Sequence, residues 1–277
     1  MQNHHNSLAH TDASGLYGRD ITVKIGDKTL LEQVNFDAKA GRVLGLIGPN
    51  GAGKSSLLAA ICGDLPYTGQ MRIAGLDPSV STNRDLAQAR AVMLQDVGVS
   101  FSFLVYDIVS MGRRPWSRTP KAEQDEQRIE EAMKATEVTH LADRDILTLS
   151  GGEKARVAMA RVFAQETPIV MFDEPTAALD IGHQEHALGL MRSLAKQGAA
   201  VIIVLHDLNA AAAYCDDILC IKQGRVALAG TVDDVYTTKN LTDIYGWPIE
   251  VRRNADEDGT DSIHVIPQRG QSTYPRS

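Results

Sequence analysis

The sequence predicts an α/β fold: a mainly parallel sheet with peripheral antiparallel strands and an inserted helical subdomain. Two observations carry that expectation. Short apolar runs recur at Arg42 to Ile47, Ala91 to Leu94, Pro168 to Phe172 and Ala200 to Leu205, with helix-length chain between them. Strands that are apolar throughout are those covered on both faces. At Ile21 to Ile25 and Leu30 to Asp37 apolar and polar residues alternate instead, as in antiparallel strands packed on one face.

In chain order, residues 1–18 are polar and His-rich and read as a tail, without the basic start and apolar middle of a signal peptide. Residues 19–245 read as the main domain, with a helical subdomain at about 97–150. There Thr119-Pro120 is a helix start signal, Glu123, Asp125 and Glu126 occupy the opening turns, and Ile129 and Met133 stand four apart. Ile218 to Ile221, Gln223-Gly224 and Arg225 to Ala229 read as a peripheral hairpin. In residues 246–277, Ile249 to Arg253 and Ser262 to Pro267 flank the acidic stretch Asn254 to Asp261 as a second hairpin, followed by a loose tail.

Composition narrows the function. The chain has 277 residues and a net charge of -7, which argues against a protein that lies along nucleic acid by its overall charge. Aromatics are only 5% of the residues, too few for stacking on many exposed rings. Cys62, Cys215 and Cys220 form no CxxC pair and sit in apolar stretches, so they read as buried small hydrophobes in a reducing compartment. The longest apolar run, Ala199 to Leu205, is far short of the ~20 residues a spanning helix needs. The product is expected in the cytosol.

The chemistry begins after the first core strand, at Gly48-Pro49-Asn50-Gly51-Ala52-Gly53-Lys54-Ser55, which runs into the helix-forming Ser56 to Ile61. In this GxxxxGK[ST] pattern glycines let backbone N–H groups curl around phosphates at a helix N-terminus, Lys54 reaches the terminal phosphates and Ser55 holds Mg2+. Chance would supply the four specified positions in roughly one chain in a hundred. The glycine order is the reverse of the dinucleotide fingerprint GxGxxG. The second signal is Ile169-Val170-Met171-Phe172-Asp173-Glu174. A buried strand ending in Asp173 aims that carboxylate at the metal, and Glu174 polarises a water for attack on the γ-phosphate; the plain alternative is an acidic turn before Pro175.

His206 directly follows the strand Ala200 to Leu205 and is placed to contact a γ-phosphate oxygen or orient the water. Alone it would read as a structural histidine. Gln95, after Ala91 to Leu94, offers a neutral amide to the metal or water shell. Gly48, Gln95, Asp173 and His206 all end predicted strands, where ligands of open parallel sheets gather.

Leu149-Ser150-Gly151-Gly152-Glu153 contains a capping box, Ser150 to Glu153, opening the helix Lys154 to Gln165. A cap needs no glycines, and Gly151 and Gly152 beside a serine hydroxyl make a second phosphate-binding surface. One nucleotide does not need two nests, so the economical expectation is a dimer in which each copy completes the other's site.

GPNGAGKSS, Gln95, LSGGE, VMFDEP, Ala177-Ala178-Leu179-Asp180 and His206 resemble the Walker A, Q-loop, signature, Walker B, D-loop and switch histidine of ABC-transporter ATPases, in matching order from Ile21 to Tyr245. The resemblance implies a P-loop NTPase (RecA-like) core and a head-to-tail dimer enclosing two ATP with Mg2+. It assigns Glu174, His206 and Gln95 to catalysis and Ser55, Gln95 and Asp173 to the metal. ATP would be held by Gly48, Pro49, Asn50, Gly51, Ala52, Gly53, Lys54, Ser55 and Ser56, with Ser150, Gly151, Gly152, Glu153 and Asp180 serving the partner copy. It implies partners: a membrane permease docking beside the Q-loop, an external substrate-binding protein, and no nucleic acid. It also implies a peripheral place on the cytoplasmic side of the inner or plasma membrane. The aromatic that stacks on adenine in the family would fall near Ile25, where an aliphatic side chain covers the base without ring stacking; Tyr17 lies well upstream.

Phe101 to Val109, Met111 to Trp116, the run LSGGEKARVAMARVFAQ and His183-Gln184 resemble the importers for ferric siderophores, cobalamin and especially hemin. Hemin is the leading cargo; a siderophore, cobalamin and a soluble non-transport ABC ATPase are the alternatives. Arg113 to Arg118 reads either as a solvated basic loop or as a rim that meets the permease. His183 and His186 read as a surface pair rather than metal ligands.

Overall fold

The structure, a computed structural model, describes residues 15–94, 101–255 and 261–270. β1 (Leu16–Ile25) and β2 (Lys28–Ala38) form a hairpin, and β1 starts inside the stretch expected to be tail. β3 (Val43–Ile47) is buried along its whole length and leads through the glycine-rich loop into α1 (Lys54–Cys62). β4 (Tyr67–Ile73) and α2 (Asn83–Ala89), neither anticipated from the sequence, precede β5 (Arg90–Met93). β4 gave little signal because only Met71 and Ile73 are buried on it. It pairs antiparallel with β1, giving a three-stranded sheet in the order β2-β1-β4.

The helical subdomain follows: α3 (Val105–Ser110), two 3-10 turns, α4 (Asp125–Ala135) and α5 (Gly151–Gln165). Thr119-Pro120 opens a 3-10 turn, and the α-helix proper begins at Asp125. The subdomain's core is Val105, Ile108, Val109, Ile129, Met133 and Leu141, closed by Val157, Ala160 and Ala164 of α5. Arg113 fits neither reading given to its segment. It is buried, donates from Nε to Asp125 (2.8 Å) and from Nη1 to the Ala164 carbonyl (2.8 Å), and ties the subdomain together from within.

β6 (Ile169–Asp173), α6 (Ile181–Lys196), β7 (Ala200–Val204), α7 (Leu208–Tyr214), β8 (Asp217–Lys222) and β9 (Arg225–Thr231) complete the main sheet, ordered β5-β6-β7-β3-β8-β9. All neighbours are parallel except β8 and β9. The hairpin expected to be peripheral is therefore half core: β8 is buried beside β3, and only β9 is an edge. Alternate residues of β6 and β7 divide between two cores. Val170, Phe172, Val201 and Ile203 pack towards α5 and α6, while Ile169, Met171, Ala200 and Ile202 pack with α1 and the antiparallel sheet. Each of the larger side chains contributes about 1.5–3 kcal/mol of burial, which is why β7 is apolar throughout and β6 is apolar up to Asp173.

α8 (Val232–Val235) and α9 (Thr238–Tyr245) lead to the antiparallel pair β10 (Ile249–Ala255) and β11 (Asp261–Pro267). Cys215 and Cys220 are buried and Cys62 half-buried; all three are free thiols. Burial pushes Cys62 up to about 11 and Cys215 and Cys220 up to about 12, so they pack as small hydrophobes. Among the described residues no helix is long and apolar enough to cross a membrane.

Candidate nucleotide site

The sheet order places three strand ends side by side. β7 lies between β6 and β3, and the register Asp173 to Val204 to Leu46 puts the three on one row across the sheet. With strands about 4.8 Å apart, the loops leaving β3 and β6 emerge about 10 Å from each other, with His206 between them. Gly48 opens the loop after β3 at φ +142°, where a Cβ would sit 2.0 Å from the Ile221 carbonyl. Gly53 ends it at φ +111° as the N-cap of α1, without a side-chain cap. The first N–H groups of α1 therefore lack a capping acceptor, which makes that end a receptor for an anion.

Lys54 begins α1 and is buried, its Nζ donating to the carbonyls of Gly48 (2.8 Å) and Pro49 (3.1 Å). Burial lowers its affinity for the proton, while the carboxylates of Glu174 and Asp173 act in the opposite sense. Asn50, Gly51, Ala52, Ser55 and Ser56 line the same cleft, of about 630 Å³, together with Glu174 and His206.

The two consecutive acids do different things because the backbone separates them. Asp173 keeps strand geometry at the end of β6, whereas Glu174 turns into the left-handed region at φ +51°. That conformation is uncommon for a residue with a Cβ and holds only where the surroundings enforce it. Here the Glu174 N–H donates to the Val204 carbonyl (3.3 Å), and its carboxylate meets Nε2 of His206. Asp173 is 5% exposed and lies against the Ser55 hydroxyl, yet its Oδ1 has no hydrogen-bond partner among the described residues. Burial first, and then the neighbouring Glu174, raise its carboxyl above the usual range. A hydroxyl beside a buried, underused carboxylate oxygen is a hard-oxygen donor pair that suits a small divalent cation. Gln95, the remaining candidate metal ligand, lies outside the described residues.

Two walls of the cleft carried no signal in the sequence reading. Lys28, Thr29 and Leu30 of β2, and Gln223-Gly224 at the β8–β9 turn, line it as well. Gly224 explains the approach: its N–H donates to the Ala52 carbonyl (2.9 Å) and its carbonyl accepts from Glu32 (2.8 Å), while a Cβ there would meet the Leu30 carbonyl at 2.6 Å. The turn was legible as a hairpin; its contact with the loop at Ala52 was not. Ile25 ends β1 opposite Lys28 and is 53% exposed. Tyr17 is ~26 Å away along the strand at about 3.3 Å per residue, under the Arg19 guanidinium.

Ser150, Gly151, Gly152, Glu153 and Asp180 do not line this cleft. Ser150 caps α5: its hydroxyl donates to Glu153 (2.7 Å) and accepts from the Glu153 N–H (3.3 Å), and Glu153 is held below the usual carboxylate range by Ser150. Gly152 is tightly placed, since a Cβ would lie 3.2 Å from the Ala178 carbonyl. Asp180 caps α6, accepting from the His183 N–H (3.0 Å) and pairing with its Nδ1 (2.8 Å). His186 bonds the Ala135 carbonyl instead (2.8 Å), and no cluster of metal-ligating side chains occurs among the described residues.

The ABC transporter family profile matches residues 31–177, from the second strand through both acids to the turn beyond them. This chain belongs to the ABC transporter ATPases. Among curated relatives of this ABC ATPase, the hemin import ATP-binding protein HmuV of Rhodococcus jostii is 48% identical, the match covering 91% of this chain and 85% of the relative. The protein of the same name from Nocardia farcinica is 49% identical, with 87% and 83% covered. Among solved structures, a chain of an inward-facing metal-chelate type ABC transporter matches with a TM-score of 0.77 at 27% identity, covering 92% of this ABC ATPase and 97% of that chain. A bacterial ABC transporter cassette solved as a dimer matches with a TM-score of 0.70 at 26% identity, over 78% and 98%.

Proposed function

We propose that this ABC ATPase binds and hydrolyses Mg-ATP between two copies of itself to drive hemin import through a membrane permease. The observation that carries the reading is the arrangement of Lys54, Ser55, Glu174 and His206 in one cleft at the uncapped end of α1, with Asp173 buried beside it and Ser150 to Gly152 outside it. The uncapped N–H groups and Lys54 bind the phosphates. Ser55 and Asp173 would hold Mg2+, with Gln95 as a further ligand, and the ion supplies charge neutralisation at the phosphates. Glu174 takes the proton from the attacking water, and His206, bonded to Glu174, keeps that carboxylate turned into the cleft. Ser150, Gly151 and Gly152 meet the γ-phosphate bound to the partner copy, with Asp180 alongside. The cassette solved as a dimer supports such pairing.

Hemin as cargo rests on the names of the relatives, which share 44–49% identity with this chain. A permease, with an external substrate-binding protein, places the chain peripherally on the cytoplasmic side of the membrane. The surface offered to the permease is the groove between the sheet and the helical subdomain, where Leu94, Phe101 and Phe103 are exposed beside Arg90 and Arg161.

The test is Glu174→Gln. We expect Mg-ATP affinity to hold while turnover drops by about 10² or more, the size of a positioned base; turnover near the parental rate would remove Glu174 from that role. Cargo is read separately, by ATP-dependent uptake of hemin, a ferric siderophore and cobalamin into vesicles carrying the permease complex.

A further inference from the structure

We infer that α9 and the β10–β11 pair form a brace that sets one wall of the nucleotide cleft, with Asn209 as the positioning residue for His206. The inference rests on the role given above to His206.

The brace is one mechanical piece. The Thr242 hydroxyl accepts from the Ile249 N–H (3.1 Å) and Thr238 Oγ1 accepts from the Val251 N–H (2.9 Å), fastening α9 to β10, and β11 pairs with β10 along its length. Leu241, Ile244, Ile249 and Val265 enter the same apolar core as Phe172 and Ala211. This piece then reaches the cleft through α7. The Asn209 amide accepts from the Val265 N–H (2.7 Å) and donates to the Val265 carbonyl (3.2 Å), so a side chain reads β11 as a neighbouring strand would. Asn209 stands three residues after His206, in the first turn of α7, whose cap Asp207 accepts from the N–H groups of Asn209 (2.8 Å) and Ala210 (3.2 Å). Fixing Asn209 therefore fixes the turn from which His206 projects.

A contact that only held the hairpin down would lower stability and leave the kinetics intact. A positioning contact predicts a split. In the full-length chain, Asn209→Leu should lower kcat about tenfold, the cost of a misplaced reacting group, with Mg-ATP affinity within twofold of parental. Asn209→Asp keeps the shorter bond, to the Val265 N–H, and should recover most of that loss. The inference is overturned if kcat of Asn209→Leu stays within twofold of parental, or if kcat, affinity and melting temperature of that variant fall together and Asp does not restore them. Glu174→Gln measured alongside separates the two levels. Parental turnover there overturns the site reading and this inference with it, whereas a low value leaves Asn209 to decide.

Discussion

Two helix N-termini in this chain are built in opposite ways. α1 begins after Gly53, whose left-handed backbone excludes a side chain and whose cap position offers no acceptor. α5 begins after Ser150, and its first turn is closed by a reciprocal pair of bonds with Glu153. An uncapped end leaves its N–H groups to water or a ligand; a capped end is satisfied without either. Under the proposed function the first binds phosphate on its own account, while the second is brought to a phosphate already held elsewhere. That asymmetry suits a site assembled from two copies, in which one half captures the nucleotide and the other reports that it is present.

The sharpest way to break the comparison is Ser150→Arg. We expect nucleotide binding to a single copy to survive and the ATP-dependent dimer to disappear, read by size-exclusion chromatography with a slowly hydrolysed analogue; a variant that still dimerises with ATP removes Ser150 from the interface. At the other end, Lys54→Ala deletes a charge-assisted contact of about 1.5–3 kcal/mol, so a fluorescent nucleotide titration should show affinity falling roughly 10–100-fold. Glu153→Ala opens the closed end. Loss of the box costs about 1 kcal/mol and lowers Tm by roughly 2–4 °C in a chain of this size, without altering binding to one copy.

The smallest effect concerns Asp173, and its sign is diagnostic. Burial and Glu174 raise its carboxyl in the folded chain, so the native state keeps the proton to higher pH than the unfolded state does. Stability without nucleotide or metal should then fall as pH climbs from the ordinary carboxylate range through the raised native value, and stay low above it. Asp173→Asn removes that cost. Its Tm at neutral pH should exceed the parental value by a few degrees and lose the slope, while Mg-ATP hydrolysis is lost. A lower Tm for Asn would mean that the carboxylate is satisfied in the metal-free chain.

What was legible in the sequence were the features that local backbone and spacing demand. The glycines of the phosphate loop, the buried strand ending in Asp173, the Ser150 to Glu153 box and the apolar strand before His206 each announce themselves within about ten residues. What escaped were approaches between distant segments. Nothing near Gln223-Gly224 indicates that this turn donates to Ala52, and nothing near Asn209 indicates that it bonds Val265. Arg113 misled for a related reason: a basic stretch is read as surface until Asp125 and the Ala164 carbonyl are seen around it. The left-handed turn at Glu174 was equally hidden, since no glycine marks it.

α5 carries a consequence of its own. One face, Ala155, Ala158, Met159 and Val162, packs on the main core, and another, Val157, Ala160 and Ala164, packs in the subdomain. Its far end is pinned, because Gln165 donates to the carbonyls of Ala87 (2.6 Å) and Arg90 (3.0 Å) and its own carbonyl accepts from Trp116. Fifteen residues at 1.5 Å per residue make a lever of about 22 Å. A swing of about 10° about the anchored end sweeps Ser150 through ~4 Å, further than the span of a hydrogen bond. Under the proposed pairing of two copies, a small rocking of the subdomain is thus enough to carry the serine from contact to clear separation.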